Sequence, residues 1–455
     1  MASETVAERL AARPLDSADD CWRLLCALAG PAAAKQAPQS AAAIARTRRL
    51  LAAVGEPQAD LRIAHIAGSK GKGSTALLLE ALALAGGWRV GCFTSPHLQH
   101  WQERIRIDGA NAADPLLVDC FESLRPAVAE LAASALGAPR FFELLTAAAL
   151  LAFARGGVRL AIVEAGVGGR LDATNLLRPA LCAITSIEGE HLDKLGPELA
   201  DVAAHKAGII KPGVPAVIGR LPGESAAVVA AQAAAVGAPL HRLGEDFDCD
   251  DSEPGARFSA AGIAVDFDFP GNRGPMRDNA ALALMAAELL ALGPLPRLAA
   301  AAFRHLRLPG RCELLAEAPL RIVDGAHTAA SARALAAALG DIPAKKKHFV
   351  LSFSPGKDWP AVITALAGQA TTIWLTQADE HYSLAPDELT IDAELLGGAR
   401  LIRCAAPGEA LAKAVAVADG GDLICATGSV YMAGFARGVW CAAGSSCQVP
   451  DDSQA

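Results

Sequence analysis

The stretch "HIAGSKGKGST" (residues 65–75) decides how this chain is read. It puts glycines and small hydroxyl residues, with two lysines among them, between two well-formed elements. An apolar run of strand character, residues 62–67, precedes it, and the Ala/Leu-rich run "ALLLEALALAG" follows. Phosphates bind where backbone N–H groups converge at a helix N-terminus. Side chains would block that approach, so the loop needs glycine, and Gly68, Gly71 and Gly73 around Ser69 meet the need. Lys72 would reach the outer phosphates, while Ser74 and Thr75 can cap the helix and face a magnesium ion. The strict pattern G-x-x-x-x-G-K-[ST] fails, because Gly73 separates Lys72 from Ser74 and the first gap is shorter. The strand–loop–helix context that gives such motifs their meaning is nevertheless present.

Outward from this loop, short β-rich runs alternate with long Ala/Leu helices. Strands are predicted at 62–67, 89–94, 160–165, 181–187 and 215–219, with helices at 75–85 and 141–154. That alternation implies a parallel sheet covered by helices on both faces. Residues 246–272 break the pattern by alternating acidic and apolar residues around turns, as small antiparallel strands would. Helical composition returns over 277–292. After "GPLPRLAAAAFRHLRLPGRCE", strands are predicted again at 320–324, 348–353, 371–376, 399–404 and 422–426. The expected organisation is α/β throughout: a first domain over residues 1–308 that carries the phosphate-binding loop, a smaller α/β domain over 309–440, and a disordered tail over 441–455.

With 455 residues the chain is long enough for two or three domains. Hydrophobic residues make up 52% and charged residues 20%, as in a globular enzyme with a large core. Net charge is −8 and the densest basic run is "KKK" at 345–347, so no basic face is evident for neutralising nucleic-acid phosphates. The 11 cysteines form no CxxC pair and no zinc spacing. Cys92, Cys182 and Cys425 lie in apolar runs and read as buried thiols of a reducing compartment. No signal core or membrane span is evident, and a cytoplasmic location is expected.

The same loop resembles the opening motif of the folylpolyglutamate synthase and dihydrofolate synthase family of the Mur ligase superfamily, which places a glycine between the lysine and the serine. Further matches follow in the family's order. They are "TSPHL" (94–98), "ERIRIDG", "FFELLTAAALLAF", "VEAGVGGRLDATN" (163–175), "ITSIEGEHLDKLG", "AAHKAGIIKPGVP", "LPGRCE", "VDGAHT" and "ATGSVYMAG". The resemblance spans residues 62–434. It implies a Mur-ligase-like fold, with a P-loop ATP-binding domain over 1–308 and a smaller Rossmann-like ligase domain over 309–440, and an ATP-dependent ligase that joins glutamate to dihydropteroate or reduced folates through an acyl phosphate, releasing ADP and phosphate. It also implies a monomer.

Such a site holds two anions together, the γ-phosphate and a carboxylate, and needs positive charge to offset their repulsion. Lys72 and hard, oxygen-preferring Mg²⁺ can supply it. Glu164 ends the apolar run "LAIV", where open α/β sheets bind ligands. The resemblance makes Glu164 a metal ligand together with Ser95 and His191. It makes Lys206 a carbamylated lysine that helps hold a second magnesium. It assigns Asn279, Arg311 and Asp324, with His327 beside them, to ATP. Taken alone, each has a bland reading beside the functional one: Glu164 as a carboxylate capping a loop, His191 as a solvated loop histidine, and Lys206 as an exposed helix lysine.

The chain departs from the family at Pro275 and Met276, where His-Gln is usual, and at Thr328 and Ala329 in "DGAHTAA". It departs again at Glu190 before His191, where aspartate is usual. The segment 28–55 matches the family poorly, which leaves the acceptor open. A ligase for a non-folate acid and a different amine stands as the alternative. A P-loop switch or motor is a third reading, one that would have no use for Glu164, His191 and Lys206 together.

Overall fold

The computed structural model describes residues 14–29, 41–251, 255–269, 276–304 and 306–442. Pro275, part of the 28–55 segment, and the tail beyond 442 lie outside these residues. The described residues fall into two compact units. The first runs to Arg304 without Leu98–His100 and Phe269; the second holds those pieces and continues from 306.

The first unit is built on an eight-stranded sheet. Its strands are β1 Arg62–Ala67, β2 Val90–Phe93, β3 Ile105–Ile107, β4 Ala110–Asn111, β5 Leu160–Glu164, β6 Leu181–Ile184, β7 Ala216–Ile218 and β8 Leu240–Arg242, in the order β4-β3-β2-β5-β1-β6-β7-β8. Pairing from β2 through β8 is parallel, and β3 and β4 add an antiparallel edge. β1 and β5 are almost wholly buried, which is why they read as continuous apolar runs rather than alternating ones. Ile63, Ala161 and Val163 belong to a core shared with the helices Ala18–Leu28, Ala41–Ala53, Asp114–Ala132 and Phe141–Arg155. Each fully buried Leu or Phe in such a core contributes about 1.5–3 kcal/mol.

The acidic segment forms a three-stranded antiparallel sheet in the order β11-β10-β9, from β9 Phe247–Asp251, β10 Ala256–Ala260 and β11 Ile263–Phe267. The second unit carries β12 Glu313–Glu317, β13 Leu320–Val323, β14 Lys347–Leu351, β15 Thr372–Leu375, β16 Arg400–Arg403 and β17 Leu423–Thr427, in the order β12-β13-β17-β14-β15-β16. Only the β12–β13 pair is antiparallel.

Cys92, Cys182 and Cys425 are buried on β2, β6 and β17. No described helix is long and apolar enough to cross a membrane. Predicted boundaries move at several elements, and two of the shifts lie at the glycine-rich loop and its neighbour. The helix after the glycine-rich loop starts at Lys72, because Gly71 at φ 83° makes the turn and the chain winds at once. β6 ends at Ile184 rather than 187; beyond it Thr185 N–H still donates to the Ala67 carbonyl at 3.0 Å, and the Thr185 and Ser186 hydroxyls donate to the Lys70 carbonyl and brace the loop.

Candidate active site at the carboxyl ends of β5, β1 and β6

Three neighbouring strands end together, and each delivers part of the site. β1 runs into the loop 68–71. β5 ends on Glu164. β6 runs into the segment 185–190.

The loop is held from below. Ser69 N–H donates to the Ser186 carbonyl (2.8 Å), and Lys70 N–H donates to Ser186 Oγ (2.8 Å). Ser69 Oγ accepts from Glu188 N–H (2.9 Å). Ser69 thus spends its amide and hydroxyl within the protein. The glycines are enforced by close approach: a Cβ on Gly68 would lie 1.9 Å from Thr185 Oγ1, and one on Gly71 would lie 2.1 Å from Asn279 Oδ1. The first intrahelical bond runs from Thr75 N–H to the Gly71 carbonyl at 2.8 Å. The N–H groups of Lys72, Gly73 and Ser74 precede it and start the helix without a carbonyl behind them. Thr75 Oγ1 donates to Asn279 Oδ1 at 3.3 Å, which ties the loop helix to the helix Arg277–Leu289.

Glu164 is 3% exposed and faces Lys72, whose Nζ stands 3.8 Å from Oε1. Its Oε2 accepts the Ser95 N–H at 2.9 Å, and Gly73 leaves room beside it. Lys72, Glu164 and Ser95 therefore converge. A second group forms around Glu190, which pairs with Lys206 Nζ (3.3 Å) and Lys70 Nζ (3.4 Å). Lys206, readable from sequence as an exposed helix lysine, is 1% exposed. Burial, then Lys72, pushes its ammonium down to about 8. Burial alone would raise the Glu190 carboxyl, but Lys206, Lys72 and Lys70 hold it below the usual carboxylate range. His191 is an exposed residue with φ 52° at the start of the short helix Leu192–Leu195. Among the described residues, no three His, Cys, Asp or Glu side chains gather as a metal cage.

In the second unit, the described residues at 310–312 and 324–327 are laced together. Asp324 accepts from Cys312 N–H (2.7 Å) and Ala326 N–H (2.8 Å). Burial raises its carboxyl and Arg311 opposes that. His327 Nδ1 lies 2.8 Å from the Gly325 carbonyl.

The Mur ligase, glutamate ligase domain matches residues 310–430. The dihydrofolate synthase/folylpolyglutamate synthase of Mycobacterium tuberculosis is 32% identical over 436 residues, covering 87% of this chain and 89% of that protein. The chain belongs to the folylpolyglutamate synthase/dihydrofolate synthase family. The solved M. tuberculosis folylpolyglutamate synthase, complexed with ADP, superposes with a TM-score of 0.81 at 32% identity, over 88% of this chain and 94% of that one. A bifunctional folylpolyglutamate synthase/dihydrofolate synthase solved with Mn, AMPPNP and L-glutamate bound has a TM-score of 0.76 at 28% identity, covering 87% and 93%. A probable bifunctional folylpolyglutamate synthase/dihydropteroate synthase of Halobacterium salinarum is 31% identical over 403 residues, 87% of this chain and 49% of that protein. The chain spans about half the length of that archaeal relative.

Three of the family departures have described surroundings. Thr328 N-caps the helix Ala329–Gly340, accepting from Ser331 N–H at 3.3 Å, so the capping role of a short polar side chain is kept. Glu190 reaches two lysines at once. Met276 is buried against the start of the helix Arg277–Leu289. The sequence reading passed over Lys70, Thr185 and Ser186. Lys70 stood inside the decisive loop, and its charge was the available signal. It also passed over a half-buried aromatic group near "TSPHL". There Trp22 stacks on Trp101 (centroids 6.1 Å) and meets His97 and Phe141 edge-on (5.3 and 5.7 Å).

Proposed function

We propose that the chain is an ATP-dependent acid–amino acid ligase that adds L-glutamate to dihydropteroate, to reduced folates, or to both. The observation that carries this reading is the bare-amide loop with Lys72 and Glu164 at adjacent strand ends, in a chain of this family. A carboxylate does not condense with an amine at neutral pH, because its oxygen leaves poorly. Transfer of the γ-phosphoryl group to the acid makes an acyl phosphate, the amine attacks it, and phosphate leaves.

The roles assigned to this chain follow from charge. The N–H groups of Lys72, Gly73 and Ser74 take phosphate oxygens, with Gly68, Ser69, Gly71 and Thr75 shaping the turn. Lys72 offsets the repulsion between γ-phosphate and acid. Asn279, Arg311, Asp324 and His327 are assigned to the nucleotide. The buried Glu164 carboxylate and the neighbouring Ser95 suit a magnesium ion, which typically takes one or two carboxylates and completes its shell with phosphate and water. Bound there, the ion would polarise the transferring phosphoryl group. His191 is assigned to a metal as well. Lys206 as an ammonium does not suit a cation. Converted by CO₂ to a carbamate it becomes an oxygen ligand, and that conversion is the condition for a second metal. The half-buried Trp22 and Phe141 suit a flat heteroaromatic acid. A monomer working in the cytoplasm, with small-molecule substrates, completes the reading.

The test is phosphate release from ATP with glutamate and dihydropteroate or tetrahydrofolate. Release that requires both co-substrates supports the reading. Release with neither favours a switch or motor. Silence with these pterins but turnover with another acid moves the chain to a different acceptor. In Glu164→Ala turnover falls by at least about a hundredfold with the circular dichroism unchanged; full activity would remove Glu164 from the site.

A further inference from the structure

Glu190 spends its two carboxylate oxygens on two different lysines. Oε1 takes Lys206 at 3.3 Å and Oε2 takes Lys70 at 3.4 Å. Lys206 comes from the helix Leu199–Ala207 and is buried. Lys70 comes from the glycine-rich loop, where its backbone is fixed at both ends. Its N–H donates to Ser186 Oγ at 2.8 Å, and its carbonyl accepts from the Thr185 and Ser186 hydroxyls. The segment that pins Lys70 is the one that carries Glu190. The other charged groups facing Glu190 are Lys72 and His191. The ligase reading uses Lys72 and Lys206 and gives Lys70 no task.

We infer that Lys70 is a positioning residue that retains Glu190 when Lys206 changes from a cation to an anion. The inference rests on the carbamylation of Lys206 proposed above. In that step the neutral Nζ attacks the carbon of CO₂. A N–C bond forms, one C=O π pair moves onto oxygen, and the surplus nitrogen proton goes to water. Nζ then carries a negative carbamate where Glu190 previously found an ammonium. Two anions at this spacing repel, and removing one partner of a buried pair strands the other. Lys70 is the cation already seated on the second oxygen of Glu190. It keeps the carboxylate paired and turned toward the loop, which leaves the new carbamate oxygens to face the metal side. Without it, Glu190 would keep Lys206 as its ammonium partner and resist the modification.

Carbon-13 NMR of the full-length protein in labelled bicarbonate tests this directly. Wild type shows a carbamate carbonyl resonance that is absent in K206R. K70M lowers the carbamate occupancy by about fivefold at the same bicarbonate, a modest factor because Lys70 keeps partial solvent exposure. K70R restores most of it, and the kcat of K70M recovers as bicarbonate is raised while the KM for ATP changes little. Should K70M fail to fold by circular dichroism, K70Q carries the same comparison. Wild-type occupancy in a folded K70M overturns the inference. So does a raised KM for ATP with no change in the carbamate, which would make Lys70 a nucleotide contact. A wild-type spectrum with no carbamate ends the carbamylation reading and this inference with it, while pterin- and glutamate-dependent phosphate release still judges the ligase reading separately.

Discussion

His65, directly under the glycine-rich loop, is fully buried, with Nε2 2.8 Å from Thr174 Oγ1. The Thr174 hydroxyl gives its own hydrogen to Asp172 Oδ1 (2.6 Å), so His65 must donate through Nε2. Asp172 in turn accepts the N–H groups of Gly166 and Val167 at 3.1 and 3.2 Å, folding the "AGVGGRLD" loop after β5. Burial, with Lys211 adding to it, drives the His65 imidazole from its ordinary 6.5 down to about 3. The folded protein therefore keeps His65 neutral while the unfolded chain takes up a proton below 6.5. Its contribution is complete above pH 6.5 and is lost as the pH falls toward 3. The expected slope is at most about 1.4 kcal/mol per pH unit. Urea denaturation from pH 6.5 to about 5, above the carboxylate range, should show a wild-type slope steeper than that of His65→Gln by up to this amount, since His205 and His348, whose imidazoles burial also lowers, contribute to both proteins alike. Equal slopes would contradict the account.

At the scale of elements, the loop and its helix act as one piece. Gly71 has φ 83°, and a Cβ there would meet Asn279 Oδ1 at 2.1 Å. Gly71→Ala pays for a left-handed residue, about 1–2 kcal/mol, and also pushes Asn279 off Thr75. The expected result is a lower melting temperature together with at least about tenfold weaker nucleotide binding, read by calorimetry. A variant that melts lower but binds nucleotide as wild type would show that the turn serves folding alone. These elements were largely legible in sequence, because parallel strands buried on both faces read as short apolar runs and the glycines mark the turn. What was not legible is where side chains end up. Helix periodicity alone does not tell that Lys206 is buried, since a lysine on an amphipathic helix ordinarily faces water. The early end of β6 was hidden for a related reason. Thr185 and Ser186 follow the apolar run directly in sequence, and nothing local tells that their hydroxyls donate to the Lys70 carbonyl of a loop more than a hundred residues earlier in the chain.

At the scale of the molecule, both units carry α/β sheets, and each offers its candidate residues beyond strand ends: Glu164 and the glycine-rich loop in the first, Asp324 after β13 in the second. That placement follows from parallel strands, whose carboxyl ends all open on the same edge. The family matches in sequence found the pieces in order. The sheet order explains why pieces a hundred residues apart meet, since β5 and β6 flank β1 although the chain visits β2, β3 and β4 first. The account's central claim is that this edge activates an organic acid with phosphate. The most direct measurement is turnover of dihydropteroate labelled with oxygen-18 in its carboxylate, followed by mass analysis of the phosphate released. An acyl phosphate predicts one labelled oxygen in each phosphate formed. Phosphate free of label, or released without any amide product, would contradict it.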